Sequence, residues 1–106
     1  MVKRFEIYLL NLDHDSPGDA KQTRPCVIVS PDEMNRHISS VIIAPIDAVK
    51  NKYPTRVEIE FLNKKRSIVL EQIRSVDKQR LAKKVGELDK EEQKQVLSVL
   101  QEMFAL

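Results

Sequence analysis

The sequence contains two glycines, one cysteine and no tryptophan, and none of its apolar runs reaches the roughly 20 residues needed to cross a membrane. So few glycines exclude a glycine-rich phosphate cradle. Cys26 has no second thiol for a disulfide or a metal site; set in an apolar run, it reads as a small core residue in a reducing cytosol. His14 and His37 are too far apart and too poorly accompanied to suggest zinc, and neither has a neighbour that would make a nucleophilic triad. The N-terminus lacks the apolar segment of a signal peptide, so the expected location is cytoplasmic.

What is present is a chain of 106 residues, 42% apolar and 32% charged, with formal net charge +2. That length and balance predict one domain, residues 1–106, folded rather than disordered. Cations crowd the middle of the chain and carboxylates its end. Phe5–Leu12 reads as a first strand, and Asp13–Gln22 as a long polar loop of the kind that more often serves function than connection alone. A second strand is expected from Arg24 to Ser30. Pro31 stops it, and a short helical turn follows with Ser30 or Asp32 as cap. Val41–Ala44 reads as a strand ended by Pro45, and Arg56–Phe61, with strict alternation, as a half-exposed strand. Asn63–Arg66 reads as a basic turn, Ser67–Leu70 as a buried strand running toward Arg74, and Leu81–Val85 as a last small strand. Asp89 and Glu92 have capping-box spacing, and Val96, Leu97, Leu100, Met103 and Phe104 then share one helical face. The expected fold is mainly β with a C-terminal α-helix, five or six strands closing into a small barrel.

The chemistry suggested by this layout lies in cations at strand ends. In Thr23-Arg24-Pro25-Cys26-Val27-Ile28-Val29 an arginine opens a buried strand, where β-branched residues fix the backbone behind it. Arg24, Arg56 and Arg74 all sit at strand ends, and loops at one rim of a small barrel converge, so the three could surround one phosphate. Each could instead pair with a carboxylate such as Glu58, Glu71 or Asp77.

Five segments in order carry a resemblance: Arg4-Phe5-Glu6-Ile7-Tyr8-Leu9-Leu10-Asn11-Leu12-Asp13, the Thr23-Arg24-Pro25 strand, Ile42-Ile43-Ala44-Pro45-Ile46, Tyr53-Pro54-Thr55-Arg56-Val57, and Glu71-Gln72-Ile73-Arg74-Ser75-Val76-Asp77-Lys78. With Glu102-Met103-Phe104-Ala105 at the end, nearly the whole chain resembles the MazF/PemK (Kid) family of toxin endoribonucleases of type II toxin–antitoxin systems. The resemblance implies an SH3-like barrel of the MazF/PemK/CcdB type and a homodimer. It implies cofactor-free and metal-free cleavage of single-stranded RNA, leaving 2′,3′-cyclic phosphate and 5′-hydroxyl ends. It also implies a MazE-like antitoxin with a disordered acidic tail, and contact with operator DNA only through the antitoxin complex. Among the residues it singles out, Arg24 and Asp47 are the catalytic candidates, and Thr23, Lys21, Arg56, Glu71 and Arg74 the RNA-binding ones.

Three positions depart from the family pattern. Asp47 stands where the pattern places a catalytic threonine, and an ionised carboxylate accepts hydrogen bonds where a hydroxyl donates. Phe5 fills a position that is commonly glycine. Glu71 replaces aspartate before Gln72. The Asp47 substitution leaves two readings open: a working nuclease, with Asp47 as general base, or a catalytically weak member that binds RNA, DNA or an antitoxin and regulates its own operon. A gyrase-directed toxin on the same fold fits less well, because the tryptophan-containing terminus of that branch is missing.

Overall fold

The computed structural model describes residues 1–12 and 22–105; most of the expected Asp13–Gln22 loop, including Lys21, and Leu106 lie outside the described residues. The order is β1 (Glu6–Asn11), β2 (Thr23–Ile28), α1 (Asp32–His37), β3 (Ser40–Ala48), β4 (Arg56–Phe61), β5 (Lys64–Val69), β6 (Arg74–Asp77), β7 (Leu81–Glu87) and α2 (Lys90–Met103). Short 3₁₀ turns at Leu70–Gln72 and Lys78–Arg80 flank β6. The seven strands form one bent antiparallel sheet in the order β4-β5-β3-β2-β1-β7, with β6 also paired to β3. The result is a half-barrel with the C-terminal helix packed on it. Among the described residues no helix is long and apolar enough to cross a membrane.

The longest strand, β3, explains the bend. Its first half pairs with β6, Ser40 to Ile43 lying opposite Asp77 to Arg74. Its second half pairs with β5, Ile46 to Ala48 lying opposite Ile68 to Arg66. Pro45 was expected to end this strand and instead continues it. It falls where the partner changes from β6 to β5, so its missing N–H interrupts neither of those ladders.

The apolar runs in β2 and β3 are continuous because both faces of the sheet are covered. Ile7, Val27, Ala44, Ile46 and Ile68 face a core completed by Leu70, Leu88 and the α2 residues Val96, Leu97, Leu100 and Met103. The alternate residues Leu10, Cys26, Ile28 and Ile43 join Val41 and Val76 in a second core on the other face. By contrast β4 is covered on one side only, with Val57 and Ile59 buried and Glu58 and Glu60 exposed.

Several local expectations change. The basic residues Lys64–Arg66 are strand, and the turn is Leu62-Asn63, both with positive φ (53° and 63°), as a tight hairpin with matching twist requires. The stretch from Ser67 toward Arg74 is broken by the 3₁₀ turn, which redirects the chain from β5 to β6. Neither Ser30 nor Asp32 caps α1. Ser30 Oγ instead donates to Asn35 Oδ1 and accepts from the Ile42 N–H, while Asp32 Oδ1 accepts from the Arg4 N–H at 2.8 Å. The last strand runs two residues further, to Glu87. The expected box on α2 is present, the Glu92 N–H donating to Asp89 Oδ1 at 2.7 Å and the Asp89 N–H to Glu92 Oε1 at 2.9 Å. Phe104, placed on the apolar face by spacing, is 69% exposed because the helix ends at Met103.

Phe5 has φ 73°, the left-handed region that favours glycine, which gives a physical reason for the family's preference at this position. The conformation is held from both sides: the Phe5 N–H donates to Ile28 O at 2.7 Å, and Phe5 O accepts from the Leu88 N–H at 2.9 Å. The ring is buried in the first core, so packing offsets a backbone strain of about 1 kcal/mol.

Two outcomes follow. Phe5→Ala should destabilise the fold by about 3 kcal/mol, since it loses the ring and keeps the strain. Phe5→Gly, normally the worse substitution, should be no more harmful, because it relieves the strained φ; urea unfolding of the two variants checks the order. The second concerns Glu6, nearly buried and joining β1 to β7 through Lys84 Nζ at 2.8 Å. Burial alone would raise its pKa, but hydrogen bonds from Lys84, the Lys3 N–H and Tyr8 outweigh it and hold the carboxyl below the ordinary 4.5. A depressed folded value means the contribution is present above 4.5 and lost as pH falls through the lower, folded value. Glu6→Gln should therefore flatten the acid limb of a stability–pH curve relative to wild type and leave its neutral limb parallel.

Candidate active site

The β2–β3 register sets the site. Cys26 lies opposite Pro45 and Val27 opposite Ala44. Beyond the Cys26–Pro45 pair, the alternation along each strand puts Arg24 and Asp47 on the face of Cys26 and Pro45, and both residues line the same two cavities. That row extends across the sheet, because Leu10 lies opposite Arg24 on one side and Ser67 opposite Asp47 on the other.

Two cavities meet at this strand end. One, of about 370 Å³, is lined by Arg24, Asp47, Arg74 and Gln72 over an apolar floor that includes Leu10, Cys26 and Pro45. The other, of about 400 Å³, opens on the opposite face of the strand pair and shares Arg24, Pro25, Ile46 and Asp47 with the first. Its remaining lining comes from Leu9 and from the β4–β5 hairpin: Phe61, Leu62, Lys64 and Arg66. Arg24 and Asp47 are both exposed, and among the described residues neither takes part in an ion pair. Asp47 Oδ1 accepts the Ala48 N–H at 2.7 Å, which orients the carboxylate.

Cys26 lines the first cavity as floor only. Burial pushes its thiol up to about 12, so it stays protonated at neutral pH and is no nucleophile. Among the described residues no hydroxyl side chain lines either cavity to stand where the family pattern has threonine: Thr55 gives its hydroxyl to Glu71 Oε1 at 2.9 Å, and Ser39 and Ser40 line neither cavity.

The strand-end arginines divide. Arg24 and Arg74 share a cavity, whereas Arg56 is turned away into a two-pronged pair with Glu71, Nη2 to Oε2 at 2.7 Å and Nε to Oε2 at 3.1 Å. Its guanidinium also lies 4.6 Å from the Tyr53 ring centre. The hydrogen bond to Glu71 raises the Arg56 pKa, and the same bond holds the Glu71 carboxyl below its ordinary range. Neither residue lines the two cavities. Thr23 is exposed on β2 opposite Asn11, and Lys21 lies outside the described residues. Sequence reasoning passed over Gln72, Phe61, Leu62, Lys64 and Arg66. The period of two in a hairpin would have put Lys64 and Arg66 on one face, had that segment been read as strand.

Comparison with known proteins identifies the fold and the family. A solved "Endoribonuclease in complex with its cognate antitoxin from Mycobacterial species" superposes with TM-score 0.83 at 20% identity, covering 100% of this chain and 97% of that one. A MazE–MazF complex from Deinococcus radiodurans superposes with TM-score 0.79 at 19% identity, covering 99% and 96%. These likenesses show the fold. Among curated proteins, Endoribonuclease EndoA of Bacillus subtilis (strain 168) is 37% identical over 112 residues, covering 100% of this chain and 97% of that protein. Residues 3–104 match the model of the PemK-like, MazF-like toxins of type II toxin–antitoxin systems, and the chain belongs to that family.

Proposed function

We propose that this chain is an endoribonuclease that cuts single-stranded RNA without a metal, using Arg24 and Asp47 as the acting pair. The observation that carries the reading is that both residues line the same two cavities, at the end of the strands whose register ends at Cys26–Pro45. Asp47 Oδ2 takes the proton of the ribose 2′-hydroxyl, whose oxygen attacks the neighbouring phosphorus. The bond to the 5′-oxygen breaks, and that oxygen gains a proton from solvent. The products are a 2′,3′-cyclic phosphate and a 5′-hydroxyl. Arg24 meets the non-bridging oxygens through its planar fork and stabilises the charge that builds on the phosphorane, and Arg74 holds the strand from the same cavity.

The wider assignments follow from the same site. RNA is a cytoplasmic substrate. An antitoxin segment with acidic residues would be attracted by the same cations and would block the groove, in keeping with the antitoxin-bound proteins that share this fold. The exposed Phe104 beside Met103 at the end of α2 suits packing against a second copy of the chain.

Incubation with a long single-stranded RNA in chelator, followed by mapping of the ends, tests the reading. Cyclic phosphate and 5′-hydroxyl termini are expected, with Arg24→Ala lowering kcat by about 100-fold or more and Asp47→Asn by about the same. Undiminished cleavage by Arg24→Ala would sink the mechanism. A large gain of activity in Asp47→Thr would show that Asp47 obstructs the reaction, and would return the chain to the weak, regulatory reading.

A further inference from the structure

The cavity on the hairpin side contains more than the proposed chemistry uses. Its floor is a row of apolar residues fixed by register: Leu9 lies opposite Pro25, and one step out from the Cys26–Pro45 pair brings Pro25 opposite Ile46. Phe61 closes one side of the floor; its ring comes within van der Waals reach of the Gly86 position on β7, where the two free edges of the sheet approach. Lys64 and Arg66 alternate along β5 and so share a face, at the rim of the same cavity.

Leu62 is the anomaly. It is 74% exposed, apolar, and held at φ 53° in the hairpin tip, a conformation that a bulky side chain adopts only at a cost. Neither packing nor turn chemistry asks for leucine there, where glycine or asparagine would be better for stability. A strained, exposed apolar residue standing over an apolar floor ringed by cations is a feature explained by what it binds.

Resting on the nuclease reading, we infer that this cavity is a nucleotide subsite, in which Leu62 and Phe61 hold one base of the RNA next to the cleaved bond, while Lys64 and Arg66 hold a flanking phosphate. Every base has an apolar face that can lie against such a floor, and among the described residues Asp47 is the one carboxylate in the lining, accompanied by Arg24, Lys64 and Arg66. The charge balance fits a polyanion.

The experiment uses a fluorescein-labelled 2′-O-methyl oligoribonucleotide of mixed sequence, read by anisotropy across a salt series. This probe has no 2′-hydroxyl to attack, so binding is measured whether or not the chain cleaves RNA. Leu62→Gly should weaken binding about ten-fold while leaving the melting temperature unchanged or higher, a combination that a structural role for Leu62 does not produce. Lys64→Ala and Arg66→Ala should each weaken binding and lower the slope of log affinity against log salt by about 1. Wild-type affinity and slope in all three variants would overturn the inference and leave the cavity to another occupant, such as an antitoxin segment. If the variants lose affinity while the wild type fails to cut natural RNA, the subsite stands and the nuclease reading falls. The converse pattern, cutting by the wild type with unimpaired variants, removes the subsite alone.

Discussion

The pairing of β2 with β3 is the constraint on which the rest depends. Because side chains alternate along a strand, a slip of one residue would turn Arg24 and Asp47 to opposite faces and exchange the two cores. The register is protected against that slip by burial on both sides. Val27 and Ala44 are fully enclosed in one core, and Cys26, Ile28 and Ile43 in the other, so no shifted pairing buries as much. The placement of Arg24 and Asp47 is a by-product of two-sided packing: both strands run on from a well-buried ladder into solvent and carry these two residues with them.

The same strand couples the site to the remainder of the fold. Because β3 changes partner at Pro45, its outer half is carried with β5 and the hairpin, while its inner half stays with β6. Asp47 therefore moves with the hairpin that bears Lys64 and Arg66, and Arg74, at the start of β6, stays with the inner half. The two cavities on either side of Arg24 are consequences of this division. Phe5 secures the opposite end of the same strand pair, bonding to Ile28 and Leu88 from a backbone conformation that its buried ring makes tolerable.

What the sequence made legible was local. The period of two in Arg56–Phe61 and the Asp89–Glu92 box are contained within a few residues, and both are found where the pattern put them. The apolar runs at Cys26 and Val41 were legible as strands, though not their ends, since whether a proline ends a strand depends on what lies beside it. Pro45 lies where partners change, a fact belonging to β5 and β6 and absent from its own neighbourhood. Arg56 and Glu71 are fifteen positions apart and meet only because Arg56 is opposite Val69 in the ladder. Their pairing was foreseeable as one option among several, and no local pattern could select it. Lys64 and Arg66 were visible as charge but hidden as a surface, because a cluster of cations after an asparagine reads as a turn until the positive φ values of Leu62 and Asn63 compress that turn to two residues.

The proposed reaction puts a carboxylate where a phosphate is received, and the charges around it bear on how that is possible. The chain as a whole has a formal charge of only +2, yet among the described residues Arg24, Lys64, Arg66 and Arg74 line the two cavities with Asp47 as the one carboxylate. Glu71, the other acid carried over from the family pattern, is bonded to Arg56 and contributes little net field to either cavity. An isolated aspartate would repel the phosphate of the proposed substrate, whereas one that lines the same cavities as these cations lowers the positive potential without reversing it. In the proposed reaction it keeps an acceptor where the proton is taken. In the proposed reaction an aspartate at position 47 thus makes chemical sense together with the hairpin cations, Asp47 standing on β3 and Lys64 and Arg66 on the paired β5.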